Sequence, residues 1–473
     1  MNLIGRKNEK LILSEASKSN RPELIAVYGR RRVGKTFLVR NVFQNDICFE
    51  ISGIHSSSMR EQLLNFHIIL KSKGFNPNRP MTWIEAFSQL SQYLDTLSGQ
   101  RKKVVFLDEF PWLDTRKSNF LPAFENFWNS YAQKKQDLIV IICGSAASYV
   151  VKKILRNRGG LHNRLTNKIH LLPFNLNETE QFLQHQRIKL SRYDITQLYM
   201  AIGGIPQYLE LIRPGESVAQ IIDRLCFEKE GFLRTEFDNV FASLFDMHEN
   251  HEAIIRTLAK IRKGLTRNEI LKQSKLNTGG TITRTLLELE ESGFIEKYVP
   301  YGQISRDALY RIVDEYCLFY LKFIESSMPS SSGYWNKLFI QPSYKIWSGF
   351  SFETICIKHI NQIKEGLKIS GIHSTHGSWF NRNQDENAQI DLLIDRDDHV
   401  INICEMKFYN TEFTIDYEYS NSLIKKMNAF RLNTMTKKNL FMTFITTYGL
   451  TDNEYQKQIV QNELNLDDLF KQL

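Results

Sequence analysis

Two groups of residues in this chain have the types and the spacing to do chemistry. The first is Gly29-Arg30-Arg31-Arg32-Val33-Gly34-Lys35-Thr36, followed by Phe37, a G-x-x-x-x-G-K-T string. Gly29 and Gly34 let the backbone turn tightly, so that the N–H groups of Arg30 to Val33 and their neighbours point inward at an anion. Lys35 brings a compact positive charge, and Thr36 a hydroxyl suited to a divalent cation. That set is a cradle for a chain of phosphates. The second group is Glu353, Asp391, Glu405 and Lys407, three carboxylates and an ammonium in the last part of the chain. Such acids can hold one or two divalent ions, Asp391 and Glu405 foremost, while the lysine steadies charge or positions water at a phosphodiester. The bland alternative is a salt-bridged hairpin.

Both groups need rigid elements behind them. Leu24-Ile25-Ala26-Val27-Tyr28 reads as a buried strand entering the glycine loop, and Phe37 to Phe43 as a helix leaving it, so the helix N-terminus adds its dipole to the cradle. A second apolar run, Lys103 to Leu107, ends in Asp108-Glu109. An aspartate at the carboxyl end of a buried parallel strand lies beside the phosphate loop, where with Thr36 it can hold Mg²⁺. Glu109 is then placed to polarise the water that attacks the terminal phosphate. A third strand, Leu138 to Cys143, runs into Gly144-Ser145-Ala146-Ala147-Ser148, and Ser145 reads equally as a polar sensor of the phosphates and as a helix N-cap. The basic run from Lys152 to Arg158 continues through Gly159-Gly160 to Arg164, which by position is the arginine to reach a terminal phosphate. Residues 44–100 read as helices separated by polar breaks, with Thr82 capping one that runs through Leu97, and Asn119 to Ala132 reads as another. The Gly203-Gly204-Ile205-Pro206 turn interrupts a helical stretch over 175–235.

In the middle of the chain, Glu252 to Ala259, Leu265 to Leu271 and Gly279 to Leu289 read as three helices, the second capped by Thr266 with Glu269 three residues on. Ser292 to Lys297 leads into a strand. The order fits a winged helix-turn-helix, with Thr281, Thr283 and Arg284 facing a DNA groove. Ser326 to Gly333 is polar and linker-like. Beyond it, Gly349 to Cys356 reads as a helix carrying Glu353. Gln389 to Asp395 and Val400 to Lys407 form a strand pair, and two-residue periodicity puts Glu405 and Lys407 on one face.

Length and composition frame these readings. At 473 residues, 42% hydrophobic and 24% charged, the chain suits about three globular domains. Its net charge of +9 is uneven: residues 341–473 hold 14 Lys and Arg against 17 Asp and Glu, a balance of −3, which leaves +12 on the first 340. A basic front suits a polyanionic partner, although solubility alone would account for it. No apolar run approaches the ~18 residues of a membrane span, and no signal-like segment opens the chain, so a cytoplasmic protein without a membrane partner is expected. The six cysteines, without a C-x-x-C pair, read as buried thiols.

Taken in order, Gly29–Thr36, Leu107-Asp108-Glu109-Phe110, Gly144-Ser145 and Gly204-Ile205-Pro206 resemble the archaeal-type ATPases, an AAA+/STAND-like branch, over residues 1–240. Ile4-Gly5-Arg6 resembles the G-R signature ahead of the loop in many AAA+-like proteins. The resemblance implies ATP rather than GTP, Mg²⁺, and a helical lid whose turn, here Gly204 and Pro206, senses nucleotide. Glu353, Asp391 and Glu405-x-Lys407 resemble the PD-(D/E)XK nucleases, and many archaeal-type ATPases carry such a domain after a winged helix. The implied fold is α/β throughout: a P-loop ATPase core with a parallel sheet over 1–175, a helical lid over 176–245, a winged helix and bridge over 246–325, a linker over 326–340, and a restriction-endonuclease-like domain over 341–473. The implied function is an ATPase coupled to a DNA-directed, Mg²⁺-dependent nuclease, with DNA as partner and a protein partner or oligomer compatible with it. Two alternatives stand beside it: a nucleotide switch or scaffold with an inactive tail, and an ATPase-linked DNA-binding regulator.

Overall fold

The structure is a computed structural model that describes residues 3–98, 102–145, 149, 153–154, 164–245, 248–276, 279–328, 333–381 and 388–473. It divides into two compact units. One comprises 1–173 with the short pieces 244–246 and 287–293, the other 174–243, 247–286 and 294–473.

In the first unit, β1 (Glu23–Tyr28), β2 (Ile47–Ser52), β3 (Lys103–Asp108), β4 (Leu138–Gly144) and β5 (Asn167–His170) form a parallel sheet in the order β2-β3-β4-β1-β5. A parallel strand covered on both faces must be apolar on both, which is why Leu24 to Val27, Val104 to Leu107 and Leu138 to Cys143 are unbroken hydrophobic runs, all buried. The fold class is α/β with a parallel five-stranded sheet. Because β4 lies between β1 and β3, three adjacent strands end at the same edge, the edge where open α/β sheets bind ligands. The helices Met59–Ser72, Trp83–Thr96 and Phe120–Ser130 contribute to an aromatic core in which Trp83 and Phe120 meet edge to face at 4.8 Å. Thr82 caps the second of these by accepting from the Glu85 N–H. The helical reading of 44–100 misses β2. Ile47 to Ser52 is too short for any periodicity to stand out, and its pairing with β3 buries Cys48, Phe49 and Ile51.

The second unit holds two sheets. β6 (Leu265–Thr266), β7 (Ile295–Tyr298) and β8 (Leu309–Ile312) are antiparallel in the order β6-β8-β7, in sequence with the helices His248–Leu258, Arg267–Ser274 and Gly279–Glu291. Thr266 and Glu269 form a reciprocal capping box at the start of the second helix. β9 (Ser374–Phe380), β10 (Gln389–Arg396), β11 (Val400–Lys407), β12 (Asn439–Thr446) and β13 (Val460–Leu464) make a mixed sheet, antiparallel through β9-β10-β11 and parallel through β11-β12-β13. Ile390, Leu393, Ile403, Phe430 and Phe444 are among its core residues. The helix Pro342–Lys358 precedes this sheet, and the helix Tyr417–Thr434 connects β11 to β12.

The stretch 326–340 is not wholly a linker. Residues 329–332 lie outside the described residues, but Tyr334–Phe339 is helical, and Trp335 is buried against Phe319 at 5.4 Å and Tyr344 at 5.3 Å. The N–H groups of Gly333 and Trp335 both donate to Asp223, at 2.8 and 2.7 Å. Burying an indole against other rings outweighs the flexibility that the flanking serines suggest. The helix Arg192–Ile202 also packs on the tail: Tyr193 stacks on Phe408 at 4.9 Å, Gln197 donates to the Tyr344 hydroxyl at 2.9 Å, and Arg192 pairs with Asp467 at 2.8 Å. All six cysteines are buried, and none is in a disulfide. Among the described residues, no helix is long and apolar enough to cross a membrane.

Candidate functional site

The glycine loop joins β1 to the helix Lys35–Val42. Gly29, Arg32 and Gly34 have φ of 148°, 72° and 90°, a left-handed path that turns the chain sharply. A Cβ on Gly29 would fall 2.2 Å from the Leu171 carbonyl oxygen, so close backbone approach requires glycine there. Arg6, buried after Gly5, donates through Nη2 to the Val33 carbonyl at 3.2 Å and braces the loop. Phe37 is exposed on the helix just beyond.

The lysine, only 6% exposed, donates through Nζ to the Arg30 carbonyl at 2.9 Å and to Ser145 Oγ at 3.1 Å. Burial pushes its pKa down, while the neighbouring Glu109 and Asp108 oppose the shift. Thr36 Oγ1 donates to Asp108 Oδ2 at 2.9 Å, and Asp108 Oδ1 accepts from the Glu109 N–H at 3.0 Å. Glu109 takes a left-handed conformation, φ 43° and ψ 46°. Its carboxylate accepts from both the Ser145 hydroxyl, at 2.7 Å, and the Ser145 N–H, at 3.2 Å. Ser145 therefore links the ammonium to the carboxylate, and the ends of β1, β3 and β4 deliver one connected polar network.

These residues fit a nucleoside triphosphate with a divalent ion. The loop and Lys35 form the anion cradle. Thr36 and Asp108 are hard oxygen donors of the kind Mg²⁺ takes, and Glu109 is a carboxylate held beside them. Arg164 is exposed and donates through Nη1 to Gln133 Oε1 at 2.8 Å. Ala146 to Ser148, Lys152, and Leu155 to Gly160 lie outside the described residues. Pro206 opens the short helix Pro206–Leu209 in the second unit, after Gly203 at φ 68°. A Cβ on Gly204 there would sit 1.9 Å from the Phe174 oxygen.

The second polar group lies in the second unit. Glu353 is on the helix Pro342–Lys358, Asp391 on β10, and Glu405 and Lys407 on β11. The antiparallel register pairs Leu392 with Cys404, and one further step sets Asp391 opposite Glu405. Burial and the Asp391 charge push the Glu353 carboxyl up to about 8, and burial also raises Asp391, whose Oδ1 accepts from Gln389 at 2.6 Å. Glu405 is buried and already partnered: Lys426 pairs with it, the Tyr419 hydroxyl donates to it at 3.0 Å, and Lys407 lies 3.7 Å away. Among the described residues, no three His, Cys, Asp or Glu side chains gather closely enough to hold a metal ion together.

Sequence reasoning missed Tyr419 and Lys426, which reach Glu405 from the helix Tyr417–Thr434. It also missed Arg262, whose guanidinium lies over the Phe350 ring and interacts with Glu353 and Asp391. No local signal marks any of them. In the middle segment, Thr283 Oγ1 accepts from Arg267 Nε at 2.8 Å.

One family match covers the first site. Residues 4–212 match a family described as an ATPase domain predominantly from Archaea. Over that stretch the chain is similar to an archaeal-type ATPase domain. It is 24% identical over 396 residues to an uncharacterized protein of Methanocaldococcus jannaschii, a match covering 82% of this chain and 83% of that one. Among solved structures it is similar to the Walker-type ATPase of Pyrococcus abyssi, at 18% identity, covering 68% of this chain and 96% of that one with a TM-score of 0.49. It is also similar to the ORC2 protein of Aeropyrum pernix, at 13% identity over 68% and 93% of the two chains, TM-score 0.42.

Proposed function

We propose that this protein hydrolyses ATP and couples it to a DNA-directed, Mg²⁺-dependent nuclease-like module. The observation that supports this best is the Lys35–Ser145–Glu109 relay beside the Thr36–Asp108 pair. In this reading the loop N–H groups and Lys35 bind and orient the β- and γ-phosphates. Mg²⁺, when bound by Thr36 and Asp108, supplies charge neutralisation at those phosphates. Glu109, released from Ser145, orients a water and takes its proton, while the Ser145 hydroxyl turns to donate to a phosphate oxygen and still accepts from Lys35. Gly204 and Pro206 keep the proposed role of a nucleotide-sensing lid turn.

The segment 246–325 is a winged helix with a bridging helix in this reading, with Thr281, Thr283 and Arg284 on its recognition-like helix. The tail is a PD-(D/E)XK-like module in which Asp391 and Glu405 hold metal, Lys407 steadies charge and Glu353 assists. A second reading is favoured by one observation: Glu405, the carboxylate at the centre of the group, is already bound by Lys426 and Tyr419. A tail carboxylate so occupied suits a nucleotide-controlled switch.

Conversion of supercoiled plasmid by the whole chain in Mg²⁺ or Mn²⁺, with and without ATP, decides between them. Nicking by the native protein, lost in Asp391→Asn, is expected. ATP turnover without cleavage under any condition would select the switch.

A further inference from the structure

The acidic group of the tail opens onto a cavity of about 970 Å³ within the second unit. Its walls come from two segments far apart in sequence. On one side is the turn between His248–Leu258 and β6, carrying Lys260, Arg262 and Lys263, with Lys322 and Arg311 contributing nearby. On the other are Glu353 and Asp391. Five cations thus face two carboxylates, a net positive lining beside a domain whose own balance is −3. The lysines and Arg262 are exposed, whereas Arg311 is tied to Glu296 at 2.9 Å.

The floor is aromatic. Tyr298, Trp347, Phe350 and Phe380 line the same cavity. Trp347 is 7% exposed, and its indole Nε1–H has no hydrogen-bond partner among the described residues. The turn is held firmly. Gly264, at φ 81°, donates to the Ile261 carbonyl at 3.1 Å, and a Cβ there would lie 2.5 Å from the Tyr310 oxygen. The backbone that carries its cations is therefore held in place.

Cations that track a backbone, interleaved with rings on which bases stack, are the equipment of a single-strand site. A B-form duplex, whose major groove alone is about 12 Å wide, is too bulky for this volume. We propose that the cleft takes one strand of nucleic acid, its phosphates held by Lys260, Arg262, Lys263 and Lys322 and its bases on the aromatic floor, so that a phosphodiester is presented to Glu353 and Asp391. The proposal rests on the nuclease-like reading of the tail, and it puts the main contact at the turn 259–264, not at the helix carrying Thr281, Thr283 and Arg284.

The test is fluorescence anisotropy of a labelled 15-nucleotide oligothymidylate on the full chain, in EDTA so that no cleavage occurs. Single-strand binding stronger than binding of a duplex of equal length is expected. Lys260→Ala/Lys263→Ala should weaken it about tenfold at moderate salt and reduce the magnitude of the log affinity–log salt slope by about 1.4, at ~0.7 per phosphate contact. Arg262→Ala and Lys322→Ala, each made separately, should act in the same direction, and Lys229→Ala, at an exposed lysine outside the cavity, should leave binding within twofold. Unchanged affinity and slope in the double variant, a preference for duplex, or a loss in Lys229→Ala as large as in the double variant would overturn the proposal. Cleavage in Mn²⁺ is scored apart from binding: strand binding without cleavage keeps the cleft and removes the nuclease, whereas cleavage with unaltered binding in the double variant keeps the nuclease and removes the cleft.

Discussion

Replacing Lys35 with alanine tests the first site most directly. The ammonium is almost wholly buried and already bonded to the Arg30 carbonyl and Ser145 Oγ, so its desolvation is met before nucleotide arrives. A unit charge about 4 Å from a phosphate charge is worth about 4 kcal/mol at an effective dielectric of ~20. Against this stands the partial loss of the two bonds it makes in the free protein, about 1–2 kcal/mol together. The net is about 2–3 kcal/mol, so Mg²⁺-ATP affinity should fall roughly 30- to 200-fold in Lys35→Ala. Titration calorimetry with a non-hydrolysable ATP analogue reads the affinity. A thermal melt without nucleotide checks that the fold is kept, and the native protein alone should gain a large thermal shift on adding nucleotide. An affinity within threefold of the native value, or retained turnover, would refute the assignment of Lys35 to the phosphates.

Three further outcomes follow from the geometry. Glu109→Gln should keep ATP binding, because the amide can still accept from Ser145, yet lower phosphate release by roughly 10²- to 10⁴-fold; a loss of less than tenfold would exclude Glu109 as the base. His359 accepts from the Leu176 N–H at 3.0 Å, and burial holds its pKa down to about 4 from 6.5. Below pH 6.5 the unfolded chain takes a proton that the folded chain refuses, so stability should fall by about 3 kcal/mol between pH 6.5 and 4. His359→Gln should flatten that slope in denaturant melts, and an unchanged slope would place the acid sensitivity elsewhere. Trp335→Ala should cost the second unit about 3–5 kcal/mol, read in urea melts; a change below 1 kcal/mol would mean that the segment is the loose linker the sequence suggests.

How much could be read beforehand depended on distance along the chain. Strand, glycine loop and helix are contiguous, and the apolar runs of β1, β3 and β4 announce a sheet covered on both faces. The network that joins Lys35, Glu109 and Ser145 is different. Each residue could be named as a candidate, but the bond from Ser145 to Glu109 depends on strand order and on the left-handed turn at Glu109, neither of which has a local signal. β2 was hidden because six residues with one charge show no period. In the tail, Glu405 and Lys407 share a face by simple alternation, whereas Tyr419 and Lys426 come from a helix whose register on the sheet only packing decides. Arg262 lies in a turn with no motif at all, and its relation to Glu353 exists only in three dimensions. The polar serines of 326–333 drew attention away from Trp335, whose burial needed Phe319 and Tyr344 to be in place.

The packing of Arg192–Ile202 on the tail bears on how such a chain can be cut and recombined. The stretch that matches the ATPase family runs to residue 212, but its last portion, from Phe174, belongs to the second unit, with Tyr193 on Phe408, Gln197 on Tyr344 and Leu176 on His359. A fragment ending at the close of the family match would carry away helices stripped of their aromatic partners, with an apolar face laid open to aggregation. A tail transplanted without them would lose the same face from the other side. The first change of unit along the chain falls after Pro173, so a cut there, not at 212, keeps the helices from Phe174 with the tail they pack on.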